Sequence, residues 1–274
     1  MTVDLSNFLS ILSTGAFDTP LDVQPMSRFK WQRLMRFADS EGVGEFLRYG
    51  IQRSIYGDEI LDKDERISTN QMYEYRHKVY AKFVNKAKPV THFSNRFLRA
   101  KLNKIFEEEV HSYNTQMPKL ALLDMISHFL KEAFTGRFSF LDIIQIGLYL
   151  RQEGDKVDFN GLDDSIDSVN LKKAANLVGT ILVRVFGFSR DEIQFCKDID
   201  EDYDALINHY FRLTMEEMIT QRHKELTNSI TILGAHDHSR ISAERGWHYA
   251  KYHRMEAISS WFANTVNSIR MVEE

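Results

Sequence analysis

The sequence has very little cysteine and proline. Its only cysteine is Cys196, and one cysteine forms neither a disulfide within the chain nor a cysteine-based zinc site. Prolines stand only at positions 20, 25, 89 and 118. Because proline is excluded from helix interiors, its scarcity beside long stretches rich in Glu, Lys, Leu and Met favours helices. The lone cysteine also fits a cytoplasmic location.

A strong charge of one sign and a long apolar run are also missing. The formal net charge is −4 with both signs interspersed, so we expect no bulk attraction to nucleic acid or to an anionic membrane. Residues 1–8 carry an acid where a signal peptide carries a base. The richest apolar stretch, 138–150, is shorter than the roughly 18 residues of a membrane span. We therefore predict a cytoplasmic protein without a membrane segment.

Apolar residues recur at the spacing of helices through most of the chain. The clearest run lies at 171–186 and ends at Gly187, a residue typical of helix C-termini. Ser27 is a suitable helix N-cap, and either Ser68 or Thr69 can cap a later helix, which we expect Pro89 to end. We expect the core to pass through helices near 120–133, 138–150 and 171–186. Four of their residues should be nearly fully buried: Phe129, Leu148, Val178 and Leu182.

Evidence for strands is thin. Residues 156–159 alternate in polarity but fit a loop as well as a strand, and 229–233 is a second short candidate. The predicted fold class is therefore all-α, an irregular bundle of about ten helices with at most a minor two-stranded element. The polar stretch around Pro89 is the best candidate for a boundary between two parts of the chain. We therefore divide the chain into an N-terminal helical segment, 1–88, and a main helical domain, 94–274, within one compact unit.

Four histidines near the C-terminus are the first candidate metal ligands: His236, His238, His248 and His253. A metal site needs ligands that converge from one side. His248 and His253 are five residues apart, which places them about 140° apart around a helix. The spacing of zinc proteases is absent. We therefore favour a solvated loop followed by two histidines on a helix surface over a metal site.

A cluster of acidic residues is the second candidate. Nucleotidyltransferases hold Mg²⁺ with an Asp-x-Asp pair on a strand, where alternation aims both carboxylates to one side. Here Asp198 and Asp200 follow a predicted short helix and precede another, where the helix dipole favours acids. We expect them, with Glu201, Asp202 and Asp204, to form an exposed turn that caps the next helix. The phosphate-binding loop, the dinucleotide fingerprint and the hydrolase nucleophile motif are absent.

Two stretches resemble a known family. The longer, 118–193, contains a histidine-bearing helix at 120–131, the motif Arg-Phe-Ser-Phe-Leu-Asp from 137, and Val-Phe-Gly-Phe-Ser from 185. The shorter, 31–43, has the pattern Trp-Gln-Arg-Leu-Met-Arg-Phe-Ala. Both resemble the uncharacterised bacterial nucleotidyltransferases of the "family 5" type, and together they cover a third to a half of the chain. His128, Arg137 and Asp142 match family positions.

The resemblance covers only the helical part of that family. Between its two stretches the family has a Leu-Lys-Gly strand and an Asp-x-Asp strand that bind Mg²⁺ and nucleotide. The corresponding interval here, 52–116, has neither and is predicted as two helices. The resemblance therefore implies a helical shell without the catalytic sheet.

These observations favour a non-catalytic helical protein, a degenerate relative of nucleotidyltransferase-like proteins, which binds a partner protein or a small ligand. No catalytic, cofactor-binding or metal-binding residue is assigned. The alternative is a metal-dependent nucleotidyl or phosphoryl transferase that uses Asp198 and Asp200 or the C-terminal histidines. A helical nucleic-acid binder is disfavoured by the charge.

Overall fold

The computed structural model describes residues 2–134, 139–226 and 250–273. The chain is 68% helical, and no strand occurs in the described ranges, which confirms the all-α prediction. Twelve α-helices follow one another there: α1 (Val3–Phe17), α2 (Arg28–Ser40), α3 (Gly44–Gln52), α4 (Gly57–Ile60), α5 (Thr69–Tyr80), α6 (Arg96–Val110), α7 (Met117–Phe134), α8 (Phe140–Glu153), α9 (Phe159–Ser168), α10 (Lys172–Arg184), α11 (Tyr203–Leu226) and α12 (Arg254–Glu273).

Helix α1 is buried along most of its length, and its polar residues are satisfied inside the protein. The side-chain amide of Asn7 donates to the carbonyl of Gln24 at 2.7 Å and accepts the Gln24 N–H at 2.9 Å. The Asp4 carboxylate pairs with Lys30 and Arg33 of α2. A buried helix can therefore carry polar groups without the cost of leaving them unpaired.

Helices α1 and α3 pack closely because each presents a glycine to the other. A Cβ on Gly15 would stand 1.8 Å from the carbonyl oxygen of Phe46. A Cβ on Gly50 would stand 2.2 Å from the carbonyl oxygen of Ile11. No side chain fits at either position, so the two backbones are in direct contact at this crossing.

The apolar core runs through α7, α8 and α10, as the periodicity predicts. The expected core residues Phe129, Leu148, Val178 and Leu182 are all buried, with at most 8% of each exposed. Helix α10 is followed by Gly187 at φ +70, a left-handed conformation that glycine adopts without strain. The Phe188 N–H donates to the Leu182 carbonyl at 3.1 Å and closes this helix end.

Local signals placed several other boundaries correctly. Ser68 and Gln71 form a capping box at the start of α5, but this helix ends at Tyr80 rather than at Pro89, so its predicted end is wrong. Ser27 precedes α2, although its side chain makes no capping hydrogen bond. The segment 156–159 is not a strand: a 3₁₀ turn, Gly154–Lys156, leads into α9. Its alternation reflects only a buried Val157 between polar neighbours. The candidate 229–233 lies outside the described residues.

Helices from both sides of Pro89 contribute to one apolar core. Helix α5 packs on α8, and α1 also contacts α8. The loop after Pro89 is fixed to α7 because the Asp124 carboxylate accepts the N–H groups of Val90 and Thr91 at 2.6 and 3.0 Å. The division of the chain at this loop stays a prediction. No helix in the described ranges is long and apolar enough to cross a membrane.

Candidate functional site

A cavity of about 190 Å³ opens where the end of α1 meets α5 and the end of α8. Its wall combines cationic, aromatic and amide groups, so it differs from the apolar core beneath it. The lining residues that matter for its chemistry are Asp18, Tyr73, Arg76, Tyr80, Arg151 and Gln152.

The end of α1 holds two arginines in the cavity wall. Arg76 donates through Nη2 to the Gly15 carbonyl at 2.8 Å, and Arg151 donates through Nη1 to the Phe17 carbonyl at 2.8 Å. The carbonyl end of a helix carries a partial negative charge and attracts cations. Backbone groups therefore fix both guanidiniums without neutralising their formal charges.

Aromatic rings support one guanidinium, and a phenol adds a further donor. The Arg151 guanidinium carbon lies 4.3 Å from the ring centroid of Phe188 and 5.1 Å from that of Phe17. Tyr80 is only 4% exposed, and its hydroxyl makes no hydrogen bond to the described part of the chain. Burial, with the nearby charge of Glu153, raises the pKa of Tyr80. It is therefore a neutral donor at neutral pH.

Asp18 lies at the mouth of this cavity. Its Oδ2 accepts from Arg76 Nη1 at 2.7 Å, and its Oδ1 contacts Arg53. Asp18 ends α1 in the left-handed region at φ 58, and its N–H donates to the Thr14 carbonyl at 3.0 Å. Burial alone would raise the pKa of Asp18, but the two guanidiniums outweigh it, so the pKa lies below its ordinary value. The carboxylate is ionised at neutral pH.

No family model, curated protein or solved structure matches this chain. The resemblance to nucleotidyltransferases therefore rests on the quoted residues alone and stays a prediction. Only the positions and the chemistry of its own residues bear on what the candidate site binds.

Sequence reasoning did not find this cavity. A signal was present in α5, where Tyr73, Arg76, His77 and Tyr80 share one helix face at spacings of three and four. Arg151 offered no such signal, because its role depends on the backbone of α1, which is 134 residues away in sequence.

Two of the three residues that the resemblance singled out lie close together in a second cluster. His128 of α7 and Asp142 of α8 lie 3.9 Å apart, measured from Nε2 to Oδ1, and Lys82 Nζ lies 3.3 Å from the same Nε2. Arg137 lies outside the described residues. Asp142 is 6% exposed, and no described residue donates a hydrogen bond to its carboxyl group. The Lys82 side chain does not line the cavity at α1.

Burial decides how this second cluster is protonated. It raises the pKa of Asp142 to about 7, with Lys82 opposing and Glu132 adding to the rise. It lowers the pKa of His128 to about 4, and the Lys82 charge acts in the same direction. Between those values both side chains are neutral. The cluster is therefore a proton-sensitive contact between α7 and α8.

The acidic cluster is exposed for the most part, as the sequence predicts. Asp198, Glu201 and Asp202 are exposed, whereas Asp200 and Asp204 are half-buried. Asp200 accepts hydrogen bonds from the Asp202 N–H at 3.0 Å and from the Tyr252 hydroxyl at 2.8 Å. Across the described ranges, no three His, Cys, Asp or Glu side chains are placed to hold a metal ion. The geometry gives Asp200 a structural contact with the segment before α12.

We expect the double variant Asp198→Asn with Asp200→Asn to fold with a loss below about 1 kcal/mol, because the asparagine oxygen keeps one of the two hydrogen bonds that Asp200 accepts and water can replace the other at this half-buried position. Thermal melting with and without millimolar Mg²⁺ or Ca²⁺ is the measurement. Neither wild type nor variant should respond to the metal. A gain of several degrees in the wild type that the variant lacks would identify the cluster as a metal site.

Of the four candidate histidines, only His253 lies in the described residues, and it is buried rather than on a helix surface, so that expectation is wrong for it. His253 is 7% exposed, and its Nδ1 accepts the Glu256 N–H at 3.2 Å at the start of α12. Burial lowers its pKa, although a hydrogen bond with the backbone of Val169 and the charge of Glu256 oppose this. Helical periodicity could not show that this residue caps the helix. His236, His238 and His248 lie outside the described residues.

Glu256 fastens α12 to the rest of the protein. Its side chain is 0% exposed and accepts the N–H groups of Ser94 and Asn95 at 2.8 Å each. Lys131 Nζ lies 3.6 Å from Glu256 and donates to Ser94 Oγ at 2.7 Å. Lys131 also donates to Ser260 Oγ at 3.3 Å, and the Ser260 hydroxyl donates to Glu256 at 3.0 Å, so these polar groups satisfy one another. The cluster is therefore a buried anchor for α12.

Proposed function

We propose that this chain is a non-catalytic helical protein that binds a small organic anion in the cavity between α1, α5 and α8. The observation that carries the proposal is the pair Arg76 and Arg151, both held in the cavity wall by backbone carbonyls. Guanidinium groups stay charged at all physiological pH values and match the geometry of carboxylate and phosphate oxygens.

The cavity has donors available for such a ligand. Arg151 uses Nη1 on Phe17 and points Nε toward Glu192 at 3.5 Å, which leaves Nη2 without a partner in the described structure. The Tyr80 hydroxyl, which lines the cavity, is the second donor group that can satisfy a ligand's oxygens. Unpaired donors cost free energy, so a ligand that accepts from them gains affinity.

The size and the walls of the cavity restrict the ligand further. Its volume of about 190 Å³ is below the roughly 300–1,000 Å³ of sites for drug-sized molecules. Tyr73 is 67% exposed at the rim and offers a flat ring for a planar or apolar group. The ligand class is therefore a small anion with an apolar or aromatic body.

Binding without turnover is the better proposal for this lining. Among its residues the structure shows no nucleophile hydrogen-bonded to a base, which is the arrangement that covalent catalysis uses. A partner protein is the second candidate, favoured by the exposed apolar residues Met255, Ile258 and Phe262 on α12. The cavity has fixed charged groups as well as a defined shape. We therefore prefer ligand binding in the cavity to partner binding on α12.

Titration calorimetry with benzoate and with inorganic phosphate tests the proposal. We expect millimolar or tighter binding to wild type and a loss of about tenfold or more in Arg151→Gln, because a charge-assisted hydrogen bond is worth roughly 1.5–3 kcal/mol. The matched control is Arg184→Gln, which removes the same charge from an exposed position away from the cavity. Equal losses in both variants would show nonspecific attraction, and no heat with either probe would refute the proposal.

A further inference from the structure

We propose that Asp18 is an internal competitor for the cavity: its carboxylate occupies the place of a ligand carboxylate at Arg76 and so limits the affinity of the site. This inference rests on the proposed function and narrows it, because it names a carboxylate as the anionic group of the ligand.

One carboxylate oxygen of Asp18 accepts from Arg76 Nη1 at 2.7 Å, and the other contacts Arg53. A single carboxylate therefore bridges two guanidiniums at the cavity mouth, where Asp18 itself is part of the lining. Because a planar carboxylate already fits between these two groups, a ligand carboxylate of the same shape fits there once Asp18 moves away.

Asp18 is the only carboxylate that pairs with Arg53 or Arg76 in the part of the chain that the structure describes. While it is in place, its charge cancels one of the two positive charges at the mouth. Any external anion must compete with it, and the cavity attracts anions less strongly than its arginines alone would.

Asp18 can leave this position because its side chain is 45% exposed, so water can replace part of the lost contacts. Its ion pair with Arg53, which is 42% exposed, contributes about 0–1 kcal/mol. Arg76 is only 22% exposed, so its pair with Asp18 is better shielded from water and is the contact that a ligand carboxylate must replace. The backbone does not need to move, because the Asp18 N–H stays bound to the Thr14 carbonyl at the end of α1.

The left-handed backbone conformation of residue 18 allows substitutions that change its side chain without disturbing the end of α1. Asparagine and glycine both accept the left-handed conformation of residue 18, so Asp18→Asn and Asp18→Gly retain the end of α1. Asp18→Asn removes the charge, whereas Asp18→Gly removes the whole side chain and makes room for a ligand carboxylate. Asp22→Asn is the control, since Asp22 is exposed, makes no ion pair with the described residues and changes the net charge equally.

The experiment is titration calorimetry of the four proteins with benzoate and with inorganic phosphate. We expect benzoate to bind both Asp18 variants at least tenfold more tightly than wild type, and Asp22→Asn to match wild type. Adding Arg76→Gln to Asp18→Asn should abolish the gain.

Each other outcome has a definite meaning. If wild type binds and the Asp18 variants bind no more tightly, the competitor role is refuted while the proposed function stands. If the Asp18 variants gain affinity for phosphate but not for benzoate, the carboxylate assignment is refuted. If none of the four proteins binds either probe, the proposed function fails and this inference fails with it.

Discussion

Replacing Gly15 by alanine should destabilise the protein by more than about 3 kcal/mol, or prevent folding, because overpacking against backbone has no inexpensive relief. The new Cβ would stand 1.8 Å from the carbonyl oxygen of Phe46 and 2.7 Å from its carbonyl carbon. A flexible side chain could turn away, but these atoms belong to α3 itself. Helices α1 and α3 would have to separate and open the core between them. Urea unfolding followed by circular dichroism measures the loss.

The chain offers a matched control at Gly154. A Cβ there meets nothing within 4 Å, and the residue has helical dihedral angles of φ −57 and ψ −37. Alanine should therefore be neutral or add about 0.4–1 kcal/mol by restricting the unfolded chain. A loss below about 1 kcal/mol for Gly15→Ala would contradict the close crossing of α1 and α3.

Asp142→Asn should strongly change how the stability of the protein depends on pH. Burial raises the Asp142 pKa from 3.8 to about 7, so the folded protein holds a proton that the unfolded chain releases between those values. The stabilising effect of that proton is complete at low pH and is lost as pH rises toward 7. Relative to the asparagine variant, wild type should lose roughly 3–4 kcal/mol between pH 4 and 8.

His128 should make the stability of the protein depend on pH in the opposite direction to Asp142. Burial lowers the His128 pKa from 6.5 to about 4, so the unfolded chain takes up a proton first as pH falls. Relative to His128→Gln, wild type should lose about 2 kcal/mol between pH 8 and 5. Urea unfolding of the three proteins across this pH range tests both signs. Parallel pH profiles for wild type and Asp142→Asn would show that the carboxyl is not desolvated.

The amphipathic helices were predictable because their signals are local. At 171–187 the apolar spacing, the helix end and the glycine at positive φ all follow from neighbouring residues, and α10 with Gly187 matches them. Helices α1 and α9 were exceptions, since no individual helix was predicted before Ser27 or over 159–168. The short helix predicted before Asp198 is wrong, because that segment consists of turns. Buried residues surround the axis of α1, including Asn7, Ser13 and Thr14, so α1 lacks the polar face that periodicity detects.

The candidate site depended on the path of the chain in three dimensions. Arg76 and Arg151 lie far apart in sequence, and the end of α1 brings them together. The acidic turn shows the same limit: no lysine or arginine follows Lys197 until Arg212, yet Lys251 pairs with Asp202 at 2.5 Å. Partners of this kind are set by how the helices cross.

By itself the sequence determined the helical class and three helices of the core, because the spacing of apolar residues reports which face of each helix must leave water. Only the tertiary structure decided that α1 and α3 touch at two glycines, that His128 meets Asp142, and that one cavity collects the arginines. The physical reason is that periodicity fixes the face a helix buries but not which helix covers it. That choice depends on the shape of both surfaces, down to a missing Cβ at Gly15.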